Sequence, residues 1–231
     1  MGFELSNNIY RAGPLTQFEW LDHGFGNRFY PLSDTVAVLH QIHSDIAVNA
    51  DLPGCSPEGD ALLSDGRLVG VKTADCLPIL LVDEHHRAVA AVHAGWRGSV
   101  ARIAQKTVQA MAARWGTRPS DLHAALGPAI GACCYEVGPE VAMQFTELFP
   151  ERRDLNQRTR IDLEEANRRQ LLASGVDAQR VYSAGLCTFC HADQFYSFRR
   201  DREAAGRMIS FIGTIPRPSR YETSGEIDPR A

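Results

Sequence analysis

The sequence predicts a mixed fold of helices and sheet, α+β or α/β, in a single domain. Three observations carry this. Short apolar runs recur between clusters of Gly, Pro, Asn and Asp, the pattern of buried strands. Two longer stretches, after Ser99 and from Asp162, repeat apolar residues at helical spacing. No internal repeat and no shift in composition divides residues 1–213, whereas 214–231 is rich in Pro, Ser and charge and reads as a disordered tail.

In chain order, residues 1–34 read as short strands and loops. Residues 35–39 and 45–48 are short apolar runs on either side of His40-Gln41-Ile42-His43-Ser44. On a regular strand His40 and His43 face opposite ways, so at most one of them serves a given site. Residues 49–59 form a turn-rich loop, and 60–63 and 68–73 are strands. Residues 77–82 and 88–92 flank the charged turn 83–87 and make a hairpin of buried strands. Ser99 is placed as the N-cap of a helix whose apolar face runs through Val100, Ile103, Ala104, Thr107, Val108, Met111, Ala112 and Trp115. Gly116 ends that helix. Residues 122–126 are a strand and 127–131 a glycine loop. Residues 139–149 and 162–174 are helices, and 180–184 and 208–212 are strands.

Composition excludes several classes. A net charge of −4 gives no general attraction to nucleic acid or anionic membrane. No apolar run approaches the roughly 20 residues of a membrane span. The N-terminus lacks a basic region followed by an apolar one, so a cytoplasmic location is expected. The six cysteines, Cys55, Cys76, Cys133, Cys134, Cys187 and Cys190, then read as reduced thiols. The partner expected is a small molecule; the oligomeric state is open.

The chemistry gathers at the hairpin. Cys76 precedes its first strand and His93 follows its second, and antiparallel pairing brings these ends together. They read as a nucleophile with its base, as two zinc ligands, or as a buried thiol beside a core histidine. A catalytic zinc needs a third protein ligand, and His43 fits best. Arg97, beside two glycines and a helix start, suits an anion. Arg199 and Arg200 are adjacent, so one can face a site while the other pairs with Asp201. Cys187 and Cys190 make a C-x-x-C, but adjacent Cys133 and Cys134 are an awkward second pair; all four read as structural or near-site thiols.

Six motifs occur in order: His40-Gln41-Ile42-His43-Ser44, Thr73-Ala74-Asp75-Cys76-Leu77-Pro78-Ile79, His93-Ala94-Gly95-Trp96-Arg97-Gly98, Leu126-Gly127-Pro128-Ala129-Ile130-Gly131, Cys187-Thr188 and Phe198-Arg199-Arg200-Asp201. Together they resemble the laccase-domain or polyphenol oxidase family, regarded mainly as zinc-dependent purine nucleoside phosphorylases. The resemblance implies two mixed β-sheets packed between helix layers, an α/β/β/α sandwich. It implies a metal site at His43, Cys76 and His93, with zinc favoured over the copper of the family label. It implies phosphorolysis of adenosine, inosine, guanosine and 5′-methylthioadenosine, and deamination of adenosine. Arg97 and one of Arg199 and Arg200, with Arg200 the first choice, are the expected phosphate contacts, and Asp75 the group that orients a ligand. Two rival readings stand beside this: a hydrolase that edits a cytoplasmic peptidoglycan precursor, and a non-catalytic zinc-stabilised binding module.

Overall fold

In the computed structural model, residues 2–31, 34–50 and 57–214 are described. The strands β1 (Phe3–Ser6), β2 (Ile9–Ala12), β3 (Leu21–Gly26), β4 (Ala37–Val38), β5 (Ala47–Asn49), β6 (Ala61–Ser64), β7 (Val69–Thr73), β8 (Leu77–Asp83) and β9 (Ala88–Ala94) come first. The helices α1 (Trp96–Val100) and α2 (Ile103–Trp115) follow, then β10 (Leu122–Leu126), β11 (Glu136–Val137), α3 (Pro139–Ala142), β12 (Thr159–Arg160), α4 (Leu163–Ala173), β13 (Val181–Ser183), α5 (Phe198–Asp201) and β14 (Met208–Thr214). Except for its first position, the tail expected at 214–231 lies outside the described residues, as does Cys55.

Twelve of the strands form two six-stranded mixed sheets, ordered β1-β2-β3-β14-β7-β4 and β13-β10-β8-β9-β6-β5, and β11 and β12 pair with each other in a small antiparallel ribbon. The β8–β9 hairpin lies at the middle of the second sheet, with Leu77 opposite Ala94 and Asp83 opposite Ala88. Its runs are apolar without interruption because both faces are covered. Leu77, Ile79 and Leu81 face α2 and α4, while Leu80 and Val82 pack between the sheets against Val69, Val71 and Ile212. Burying each such side chain contributes roughly 1.5–3 kcal/mol. The outer face of the first sheet packs Ile9, Val36, Ile209 and Phe211 with Tyr30.

Three local expectations are corrected. Ser99 is not an N-cap: the chain turns into α1 at Gly95, and Ser99 lies buried inside that short helix. There it accepts from Asn167 Nδ2 on its Oγ (2.7 Å) and from Gln170 Nε2 on its carbonyl (2.7 Å), tying α1 to α4. A left-handed Arg102 (φ 68°) then separates α1 from α2. The helix expected over 139–149 is one turn, α3, followed by a tighter turn at Met143–Phe145. Its bond there runs three residues back, from Thr146 N to Met143 O. The segment around His40 and His43 is not a regular strand, for a reason that belongs to the site. Among the described residues no helix is long and apolar enough to cross a membrane.

Candidate metal centre

The ligand atoms of His43, Cys76 and His93 all lie within 4.8 Å of one another. Three separate segments deliver them. Cys76 ends the turn that feeds β8, and His93 is the penultimate residue of β9, opposite Pro78. His43 comes from the loop before β5. Its ring meets that of His93 edge to face, with centroids 4.9 Å apart.

Asp60 shapes that loop. It is fully buried, immediately before β6. Its carboxylate accepts from the main-chain N–H of His43 (3.1 Å) and Ser44 (2.5 Å), and from Ser44 Oγ (2.6 Å). Wrapping the chain around one carboxylate forces His43 into the left-handed region at φ 60°. Such a conformation costs on the order of 1–3 kcal/mol in a non-glycine residue, and the Asp60 bonds offset it. This is why strand alternation fails here. His40 points elsewhere and pairs with exposed Glu58 (3.5 Å).

The same carboxylate meets His93 Nδ1 at 2.8 Å. That leaves Nε2 as the ring nitrogen free for a ligand, the arrangement that orients metal-bound histidines. Burial would push the Asp60 carboxyl up, but the bonds from His93 and Ser44 outweigh it and hold it down at about 2. Cys76 behaves alike: burial opposes ionisation, and the two imidazoles overcome it, bringing the thiol down to about 6. His93 is pushed up to about 9, because Cys76 and Asp60 outweigh its burial. Both shifts favour the same charge distribution, a thiolate facing an imidazolium, and a cation could take the place of the imidazolium proton. Gly95 closes the floor: a Cβ there would lie 2.9 Å from Cys76 Sγ and 3.4 Å from His43 Cδ2.

The other expected residues stand around this cluster. Asp75 is buried, at φ 84°, and its carboxylate accepts from Thr188 Oγ1 (2.6 Å), Ser197 Oγ (3.0 Å) and Arg199 N (2.6 Å). It pins the 188–199 segment, whereas the bonds that orient the histidines come from Asp60. Arg200 binds the carbonyls of Thr188, Phe189 and Phe195 and forks onto Asp201 (2.8 Å twice). Its guanidinium is thus committed to its own segment. Arg199 instead lays its guanidinium 5.2 Å from the centre of the Tyr135 ring and donates to Glu136 O (2.7 Å). Arg97 is exposed on α1, 4.5 Å from the centre of the Trp96 ring.

Tyr135 joins these groups. Its hydroxyl is pushed well above the ordinary phenol value by burial, with the charges of Cys76 and Asp75 adding and those of Arg199 and Arg97 opposing. Sequence reading singled out neither Tyr135 nor Asp60. The usable signal for Asp60 was an acid opening a run, 61–63, that is otherwise apolar. The structure also gathers Cys133, Cys134, Cys187 and Cys190, the awkward pairs, into one cluster.

Two sheets, with a thiol and two imidazoles gathered at the end of the central hairpin of one of them and a buried carboxylate behind, define a domain whose residues could hold a metal ion. Residues 27–215 match the family described as multi-copper polyphenol oxidoreductase laccase, and the chain belongs to that family. A protein named purine nucleoside phosphorylase from Deinococcus radiodurans is 43% identical over 201 residues, 84% of this chain and 75% of that protein. A protein named adenosine deaminase RL5, from an unknown prokaryotic organism, is 39% identical over 175 residues, 72% of this chain and 66% of its own. The crystal structure of YlmD from Geobacillus stearothermophilus superimposes with a TM-score of 0.82 at 28% identity, covering 93% of this chain and 99% of that one.

Proposed function

We propose that the chain is a zinc-dependent purine nucleoside phosphorylase acting on adenosine, inosine, guanosine and 5′-methylthioadenosine, with adenosine deaminase activity. The observation that carries this is the His43–Cys76–His93 cluster held by Asp60, in a chain whose relatives bear those two enzyme names. The donor set suits zinc: one thiolate and two neutral imidazoles leave a fourth position for water or substrate. It lacks the histidines of a multicopper centre, so the family's description is not carried to this chain as an activity. When bound, the ion supplies a Lewis acid at that point.

The chain's own residues do the rest. Asp60 keeps His93 in one tautomer and His43 on its loop. Arg97 and Arg199, both bearing on Tyr135, supply the positive charge that would hold phosphate. Tyr135 stays protonated at neutral pH and so offers an O–H donor to substrate. Asp75 and Arg200 act as positioning residues, the first by holding the Arg199 backbone, the second by bracing the loop that carries Thr188. In phosphorolysis a phosphate oxygen bonds to the anomeric carbon as the bond to the base breaks. The base leaves with the electron pair and takes a proton.

The test is incubation of the zinc-loaded protein with adenosine, with and without phosphate, and separation of the products by chromatography. Adenine that requires phosphate and disappears in Cys76→Ala supports the phosphorylase reading. Inosine formed without phosphate supports the deaminase arm. If the loaded protein forms neither adenine nor inosine, the proposal is overturned.

A further inference from the structure

A second cluster lies outside the candidate centre. Cys133 and Cys134 sit in the loop between β10 and β11, and Cys187 and Cys190 in the loop after β13. Their four sulfurs all lie within 4.8 Å of one another. Cys190 Sγ is 3.7 Å from Cys133 Sγ and 3.4 Å from Cys134 Sγ. A tetrahedral zinc with bonds of about 2.3 Å places its sulfurs roughly 3.8 Å apart. These two spacings fall just short of that edge, and none of the sulfur pairs exceeds 4.8 Å, so the cluster has the size of a four-thiolate tetrahedron.

The backbone is arranged to suit. Gly131 N donates to Cys187 Sγ (3.3 Å), and N–H groups aimed at sulfur stabilise thiolate ligands. A Cβ on Gly131 would stand 3.3 Å from Cys133 Sγ and 3.4 Å from Cys187 Cβ, so a bare glycine lets the two loops close. Cys133 and Cys190 are exposed while Cys187 is buried, which gives an ion a way in and a fixed floor to reach. A lone thiol needs no company. Two pairs that lie more than fifty residues apart in sequence and converge on one another have the form of a ligand cage.

We propose that Cys133, Cys134, Cys187 and Cys190 bind a second, structural zinc ion. Its place in the fold gives the reason. The Cys187 loop runs straight into Thr188, whose hydroxyl holds Asp75 at 2.6 Å, and Asp75 precedes Cys76 in the chain. Cys134 runs straight into Tyr135 in the same way. A zinc here staples together the two loops that wall the candidate centre. Its four thiolates leave no open position, so it does no chemistry on substrate. The inference rests on its own four sulfurs and stands whether or not the nucleoside reading holds.

The experiment counts metal. Full-length protein, purified with reductant, is reconstituted with excess zinc chloride, desalted and analysed for zinc per chain by mass spectrometry. Two zinc ions per wild-type chain are expected. The double variant Cys134→Ser/Cys190→Ser should retain one, and His43→Ala/Cys76→Ala should also retain one. Cobalt titration of metal-free wild-type protein keeps the test independent of variant folding. Thiolate-to-cobalt charge-transfer absorption should keep growing through a second equivalent. One zinc per wild-type chain with cobalt absorption complete at one equivalent overturns the site.

Discussion

Replacing Asp60 with asparagine tests the electrostatic frame of the centre with almost no change in shape. In the native protein Oδ1 accepts from His93 Nδ1 and His43 N, and Oδ2 from Ser44 N and Ser44 Oγ. An asparagine must turn its NH2 toward one of these pairs, and at least one main-chain N–H then faces a donor at a fully buried position. Each buried donor so stranded costs about 1–3 kcal/mol, and the loss of a charge-assisted bond to His93 adds to that. A total near 3 kcal/mol lowers the melting temperature by roughly 6–12 °C in a domain of this size. The freed His93 ring can then take the wrong tautomer, and zinc affinity should fall about 10–100-fold. Acid stability should change as well. Asp60 is held at about 2 in the folded protein, below an unfolded carboxyl near 3.9, so its contribution is present above that value and disappears as pH falls through about 2. Asparagine removes this dependence. The assay pairs thermal melting with competition for zinc against a chromophoric chelator, and Asp75→Asn serves as the comparison because its bonds run to the 188–199 segment. Wild-type zinc affinity in Asp60→Asn would refute the reasoning.

Four further outcomes follow from the same geometry. Gly95→Ala should weaken zinc binding at least tenfold in the competition assay, because the new Cβ would stand 2.9 Å from Cys76 Sγ. Zinc affinity should rise roughly tenfold per pH unit between about 6 and 9, where Cys76 is already ionised and His93 must give up one proton to bind; a flat titration would contradict the thiolate–imidazolium pair. Arg199→Ala should raise the KM for phosphate about tenfold with little loss of stability, whereas Arg200→Ala should act chiefly on melting temperature, since its bonds are to its own segment. Leu80→Ala, between the sheets, should cost about 2–5 kcal/mol by denaturant unfolding and leave zinc affinity unchanged.

What could be read from the sequence was what short-range pattern controls. The β8–β9 hairpin was legible because uninterrupted apolar runs and a charged turn are local signals, and the pairing of Leu77 with Ala94 delivers the two ends as expected. The helix α4 was legible for the same reason, with Asp162 capping the Glu165 N–H. The loop carrying His43 was not, because its shape is set by Asp60, seventeen residues further on. The choice between Arg199 and Arg200 was closed to sequence too. They are neighbours on a four-residue helix whose register follows from the Ser197 cap. The four-cysteine cluster escaped because its two pairs lie in distant loops and an adjacent pair matches no spaced zinc motif.

The position of β14 has a consequence for how the protein comes to be made. It is the last of the described strands, yet it lies in the interior of the first sheet, antiparallel to β3 on one side and β7 on the other. Until residues 208–214 clear the ribosome, β3 and β7 each present an unpaired edge, and the apolar surface that β14 covers is open to other chains. The first sheet must therefore form after translation of this region, through contacts of long sequence separation that close slowly. The hairpin sheet, whose central strands are neighbours in sequence, can form earlier and serve as the surface on which the other completes. Truncation before Met208 should yield aggregates rather than a smaller folded domain, and nascent chains of that length are natural clients for a chaperone.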